Sequence, residues 1–510
     1  MAETTWIKQA SWVVAWDGAG DRHVYLRDAD VVFAGNKLVF VGKGYAGAAD
    51  RIVDGKDRLV MPGFVNIHSH PTSEPLLRGL TEEFKSRKLG MSTLYEYTVL
   101  VGRSNYTTTL AESQANRDNP QIYQDDDARK AACALAVYEM LGSGVTTFVD
   151  YSPNRANWID EAIATGMRVC IAPSFRSGYW YTPNGHEVLY EFDEKAGRRA
   201  FNEAMALLDE VAKHPCDRLF GLVAPGQIDT CKPDLLQDAR DAARERKLAM
   251  TLHAAQSVVE FREMVRRHGK TPIEWLESIG LLAPNFIIGH AIFLDHHSWI
   301  NWPGPERKDL QRIVDSGAHV AHCPHNFVRS GVYLQDFGKY RRAGVNIGLG
   351  TDSYPHNFVD EMRWATVMAK VAAQDVWSTR VEDVFYAGTV GGAKALQRDD
   401  IGRLAPGCKA DIVIADCNHP MMQPVRDPLR SLIFSALERP ITDVYVDGRP
   451  VVAGGKVLTV DAVEAGRVLA AGQARALQRV PDKDWAMRTA DEAFPLALAT
   501  VDAIPAGNMH

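Results

Sequence analysis

Apolar and polar residues alternate in short runs near the start of the chain, at Ser11 to Trp16, His23 to Phe33 and Lys37 to Gly42, with Gly- and Asn-containing turns between them. Period-two alternation bounded by turn residues predicts half-buried strands. The same texture returns far downstream, at Ala410 to Ile414 and in Val444 to Val452, where Asp447-Gly448 suits a tight type I′ hairpin turn. One β-sandwich assembled from residues 1–58 and 403–465 accounts for both stretches.

The stretch between them, residues 59–402, alternates strand-like and helix-like segments. The strands are Phe64 to His68, Val145 to Asp150, Arg168 to Ala172, Leu219 to Ala224, Ala249 to His253, Phe286 to His290, His319 to Cys323 and Asn346 to Thr351. Eight such strands separated by helical patterns predict an α/β fold, a (β/α)8 TIM barrel. Helical spacing is clearest after the last strand, where Phe358, Met362, Ala365, Met368, Ala369 and Ala372 recur every three to four residues. Residues 71–127 are too long for an ordinary connection and carry Phe84, Tyr95, Tyr97 and Arg103, which predicts a lid or pocket wall. Ser174 to His186 is expected to be a loop whose Tyr179-Trp180-Tyr181 either contacts substrate or packs. Residues 466–510 form a C-terminal extension, a helix and then an irregular end, with no evident chemistry.

Composition narrows the class. The 510 residues are 46% hydrophobic and 24% charged, ordinary values for a folded chain. A net charge of -7 without a basic stripe argues against nucleic acid or an anionic membrane surface as partner and favours a small-molecule substrate. The seven cysteines are scattered without a disulfide framework, no secretory signal is visible, and no run approaches the roughly 18 apolar residues of a membrane span. A cytoplasmic protein is the expectation.

The candidate chemistry lies at strand ends. His68 and His70 close the first barrel strand, where alternate side chains share a face. A lone His-x-His fits a hydrogen-bonded strand cap as well as half a metal site. His253 ends the fifth strand, however, His290 the sixth, and Asp352 follows the eighth. A barrel brings these ends to one mouth. Imidazoles with a carboxylate suit a divalent ion, zinc first, with iron, cobalt or nickel as alternatives. Such an ion lowers the pKa of bound water from about 16 towards about 7. Asp352 can then take the proton, and His290 can orient the nucleophile or stabilise an oxyanion. His-Glu-x-x-His, Gly-x-Ser-x-Gly and Gly-x-x-x-x-Gly-Lys are all absent from the sequence, which removes zinc-protease, serine-hydrolase and nucleotide-dependent readings.

Taken in order, Pro62 to His70, Thr251-Leu252-His253, Gly289-His290, Ala321-His322-Cys323-Pro324, Gly350-Thr351-Asp352 and Gly402 to Asp411 resemble the amidohydrolase superfamily, in its cytosine deaminase-like and triazine hydrolase-like branch. The resemblance spans about residues 6 to 460. It implies that His68, His70, His253 and Asp352 ligate the metal, that Asp352 is also the general base, that His290 sits beside the water, and that the enzyme is a homo-oligomer. Binuclear relatives use a carboxylated lysine near a mid-barrel strand end; none is available here, so one metal is expected.

Two departures matter. Where deaminases of this branch carry a glutamate three residues after the third histidine, this chain has Gln256, which can only hydrogen-bond. The segment after Cys323-Pro324 also differs, running His325-Asn326-Phe327-Val328-Arg329-Ser330-Gly331, shorter than the usual Ser-Asn form. Candidate substrate contacts are His322, which matches the family pattern, with His325, His356 and Trp180. The leading expectation is hydrolytic deamination of a small nitrogen heterocycle. Alternatives are an amide, urea or carbamate hydrolase releasing an amine, and a non-catalytic scaffold.

Overall fold

The computed structural model describes residues 3–72, 74–80, 95, 125–304 and 307–501. Both ends of the chain meet in one nine-stranded sheet. Its strands run in space from Lys456–Val457 through Arg449–Ala453, Ile441–Val446, Ile412–Asp416, Arg58–Pro62, Thr4–Asp17 and Arg22–Ala34 to Lys37–Gly42, with Arg51–Asp54 pairing alongside Thr4–Asp17. The join between the two ends is the antiparallel pairing of Arg58–Pro62 with Ile412–Asp416. Alternate side chains of these strands bury Ile7, Val13, Val31, Phe33, Ile412 and Tyr445 in one cluster, the core of an accessory β-sandwich.

All eight anticipated barrel strands are present. Phe64–Ser69, Val145–Pro153, Arg168–Phe175 and Leu219–Gly221 pair in parallel, with Ala224–Pro225 continuing against Arg168–Phe175. Met250–Ala254, Phe286–His290, His319–His322 and Asn346–Leu349 form a second parallel set. Bridges from Val223 to Met250 and Gln227 to His253 close one seam, and Ser69 to Asp352 closes the other. The barrel interior is small and branched, with Val65, Ile67, Val149, Cys170, Leu222, Ile287 and Ala321. Helix Phe358–Ala373 follows the last strand, as its spacing requires.

The expected loop at 174–186 is instead part of a hairpin, Gly178–Tyr181 pairing antiparallel with Leu189–Phe192. Three consecutive aromatics have strand propensity, and the neighbouring glycines disguised it. Phe84, Tyr97 and Arg103 of the expected lid lie outside the described residues. The downstream helix spans Ala462–Gln478 and packs near helix Asp126–Gly142.

Arg168 ties the barrel to the sheet. Fully buried, its guanidinium reaches Asp411 at 3.2 Å and Asp447 at 3.1 Å and donates to the Asp217 carbonyl at 3.2 Å. Lys409 lies 3.4 Å from Asp447, completing the ion cluster.

Candidate metal centre

The barrel mouth gathers four side chains from strands one, five and eight. His68 sits in the strand Phe64–Ser69 and His70 just beyond it, His253 in Met250–Ala254, and Asp352 after Asn346–Leu349. Asp352 N donates to His68 O at 2.9 Å and His70 N to Asp352 O at 2.7 Å, so the backbone itself staples the first strand to the last. Glycine makes this approach possible: a methyl group on Gly350 would sit 2.7 Å from His68 Cβ, and one on Gly289 3.2 Å from His253 Cα. Asp352 and His290 adopt positive φ, 57° and 83°, a conformation sparsely populated by non-glycine residues and found where a site over-determines the chain.

Hydrogen bonds fix the imidazole tautomers. His70 Nδ1 donates to Tyr151 O at 2.7 Å and His253 Nδ1 to Gly226 O at 2.6 Å. Each Nε2 is therefore a bare lone pair, yet the two face each other at 3.2 Å. Asp352 Oδ1 lies 3.3 Å from His70 Nε2 and 3.8 Å from His68 Nε2. Both ring nitrogens of His68 are buried without a hydrogen-bond partner. Three lone pairs and a carboxylate oxygen crowded together repel one another, and a cation at their centre turns that repulsion into coordination. Burial, with the neighbouring imidazoles, lowers the pKa of His68 and His253 well below the ordinary value, which keeps them neutral and ready to ligate.

Asp352 is pushed upward by burial, opposed by His70, Arg329 and the hydrogen bond from Asn326. A bound cation favours its carboxylate form. His290 Nε2 stands 3.9 Å from Asp352 Oδ2, its ring edge-on to Phe327 at 4.5 Å, and burial holds it neutral. Strands two to four end in Pro153, Phe175 and Pro225, without a lysine to bridge a second ion. Cys323 Sγ also approaches, within 4.8 Å of ligand atoms of His68, His290 and Asp352, but burial pushes its thiol well up. A single divalent ion, zinc foremost by its donors, fits this site.

The remaining candidates separate. Gln256 is at the mouth, its Nε2 donating to Gln227 Oε1. Its backbone is held by buried Glu260, which accepts from Ala255 N at 2.6 Å and Gln256 N at 3.2 Å. The other four do not join the group. His322 is buried, its ring 5.8 Å from that of Phe337. His325 turns to Asp360, 2.9 Å away, and tilts over Trp364. His356 Nδ1 pairs with Thr351 Oγ1 at 2.7 Å behind the last strand. Trp180 is buried against Tyr95 at 5.3 Å, in a cluster with Val188, Tyr190 and Val259. Rim proximity in sequence does not fix side-chain direction: His322, His325 and Trp180 pack against helix or hairpin residues, and His356 against Thr351.

Sequence reasoning missed Tyr151, Gln227 and Asn326. Tyr151 stacks on His253 at 4.8 Å while its carbonyl holds His70. Asn326 Nδ2 donates to Asp352 Oδ2 at 2.6 Å. Asn326 stands inside the segment that departs from the family pattern, so the signal was present without a role attached.

The amidohydrolase family model matches residues 59–451. The chain belongs to the amidohydrolase family. It is similar to a 5-methylthioadenosine/S-adenosylhomocysteine deaminase of Pyrococcus abyssi, 29% identical over 444 residues that cover 86% of this chain and 93% of that one. Among solved structures it resembles a triazine hydrolase variant, with TM-score 0.74 and 22% identity over 92% of this chain and 99% of that one. It also resembles a zinc-bound adenosine deaminase from Xanthomonas campestris, with TM-score 0.71 and 22% identity over 92% and 98%. With this membership and its donor set, the amidohydrolase is a metal-dependent hydrolase of carbon–nitrogen bonds. Among the described residues no helix is long and apolar enough to cross a membrane.

Proposed function

We propose that this amidohydrolase deaminates a small amino-substituted nitrogen heterocycle in the cytoplasm, with one zinc ion held by His68, His70, His253 and Asp352. The observation that carries the reading is the pair of bare Nε2 atoms facing each other 3.2 Å apart beside Asp352 Oδ1. A divalent ion held there supplies the charge that makes water nucleophilic near neutral pH. Asp352, its Oδ2 fixed by Asn326, takes the proton from the attacking water and passes it to the leaving amine. His290 Nε2, on the Oδ2 side of Asp352, holds the nucleophile in line. Gln256 cannot exchange a proton, so its carboxamide, oriented by Gln227, binds the ring edge. Similarity to deaminases of adenosine-type nucleosides supports purines as the first substrates to try.

A second reading, amine release from a urea, amide or carbamate, is favoured specifically by Gln256, since these leaving groups need no acid at the ring. A panel of adenosine-type nucleosides, pyrimidines, aminotriazines and N-aryl ureas, scored for ammonia against amine, separates the two. Ammonia from a heterocycle is expected; amine release without ammonia across the panel overturns deamination.

A further inference from the structure

Asp352 has two carboxylate oxygens in different surroundings. Oδ1 faces His70 and His68, whereas Oδ2 accepts from Asn326 Nδ2 at 2.6 Å. The hydrogen bond on Oδ2 therefore decides which way Oδ1 points. Asn326 is in turn held on its other end: its Oδ1 accepts from Arg329 Nη2 at 2.8 Å and from Ser353 Oγ at 2.5 Å. Arg329 Nη2 also reaches Ser353 Oγ at 3.0 Å, closing a ring of three side chains behind Asp352. These bonds settle the orientation of the Asn326 amide, because an arginine and a hydroxyl that both point at one atom require it to be the carbonyl oxygen.

Arg329 needs its own support, since a long side chain held at one end keeps its rotamer freedom. Its guanidinium lies 3.9 Å over the ring of Tyr354. Tyr354 is buried, its hydroxyl donates to Leu77 O at 3.0 Å, and it packs in a cluster with Leu77, Val480, Ala493 and Phe494. Three of those five residues come from the chain beyond the last strand of the sheet. A continuous path of contacts thus runs from the far end of the chain to the outer oxygen of Asp352.

We propose that Arg329 is a positioning residue for Asp352, acting through Asn326, and that residues 480–494 complete the arrangement by seating Tyr354 beneath the guanidinium. Arg329 touches no reacting atom. It locks the carboxamide that locks the carboxylate, so that Oδ1 faces His70 and His68 while Oδ2 stays on Asn326. The segment that departs from the family pattern, His325 to Gly331, and the C-terminal extension then belong to one device. This rests on the assignment of Asp352 to the metal but not on any substrate.

The test is a double-mutant cycle read as zinc affinity, measured on full-length protein by competition with a chromophoric chelator. Asn326→Ala should weaken zinc binding about 10- to 100-fold, the usual effect of removing a group that orients a ligand. Arg329→Met alone should weaken it about tenfold. In the Asn326→Ala background the same substitution should add less than about twofold, because its effect has no other route. Tyr354→Phe, which keeps the stack, should bind zinc as tightly as the parent, and Tyr354→Leu should not. If Arg329→Met fails to fold, Arg329→Lys replaces it in the cycle with the same expectation, as an ammonium can neither stack flat nor reach Asn326 and Ser353 together. Equal losses in both backgrounds, or no loss from Arg329→Met while Asn326→Ala weakens binding, overturn the relay. No zinc binding by the parent protein instead removes the metal reading itself, a separate outcome.

Discussion

Replacing Asp309 by asparagine should remove the pH dependence of one local contribution to stability. Asp309 begins the helix Asp309–Ser316 and is completely buried. Its Oδ1 accepts from Thr271 Oγ1 at 2.6 Å and its Oδ2 from Asp295 N at 3.0 Å, while Asp309 N donates to Asp295 Oδ2 at 3.0 Å. Burial, and then the nearby Asp295 charge, raise its pKa from 3.8 to about 7. In the folded state the group therefore keeps its proton up to about pH 7, while in the unfolded chain it loses it near 3.8. Between those values the unfolded state binds fewer protons, so stability falls as pH rises and levels off above about 7. The full span corresponds to about 4 kcal/mol at 1.36 kcal/mol per pKa unit. Arg312, 3.6 Å away, opposes the rise, and the value of about 7 is the balance of these effects. Asparagine has no charge to bury. In urea unfolding from pH 4.5 to 8, the variant should gain on the parent steadily, by about 2–4 kcal/mol across the range. A difference independent of pH, or a parent that gains on the variant as pH rises, refutes the reasoning.

Arg168→Met leaves Asp411 and Asp447 buried beside a single lysine and should destabilise the protein by about 3–5 kcal/mol, seen as an earlier urea midpoint. Gly350→Ala drives a methyl into His68 Cβ and should lower turnover by about 100-fold, together with zinc content. Gln256→Glu places an ionisable group next to Gln227 and should add a carboxylate titration to the pH profile of kcat; an unchanged profile puts Gln256 outside the ring-binding position.

The barrel was legible because its strands obey a strong rule. Runs such as Phe286 to His290 and Asn346 to Thr351 are apolar, short and spaced by helical patterns, so burial on both faces is written into composition. The meeting of His68, His70, His253 and Asp352 was legible because a barrel brings the ends of its strands to one mouth. The partners of His322 and His356, Phe337 and Thr351, belong to packing that no local pattern shows. Tyr151 and Asn326 escaped because their roles depend on a carbonyl and an amide meeting residues some 81 and 26 positions away. Of the Tyr179-Trp180-Tyr181 run, Trp180 packs in a cluster with Tyr95.

The central claim is that one metal ion at His68, His70, His253 and Asp352 runs the hydrolysis. Titrating zinc into chelator-treated protein, while following both binding and C–N bond hydrolysis, tests it most directly. The account predicts that activity rises linearly and saturates at one equivalent per chain, and that His70→Ala and His253→Ala abolish both signals. Activity that needs a second equivalent, or that persists in chelated protein and in both variants, contradicts it.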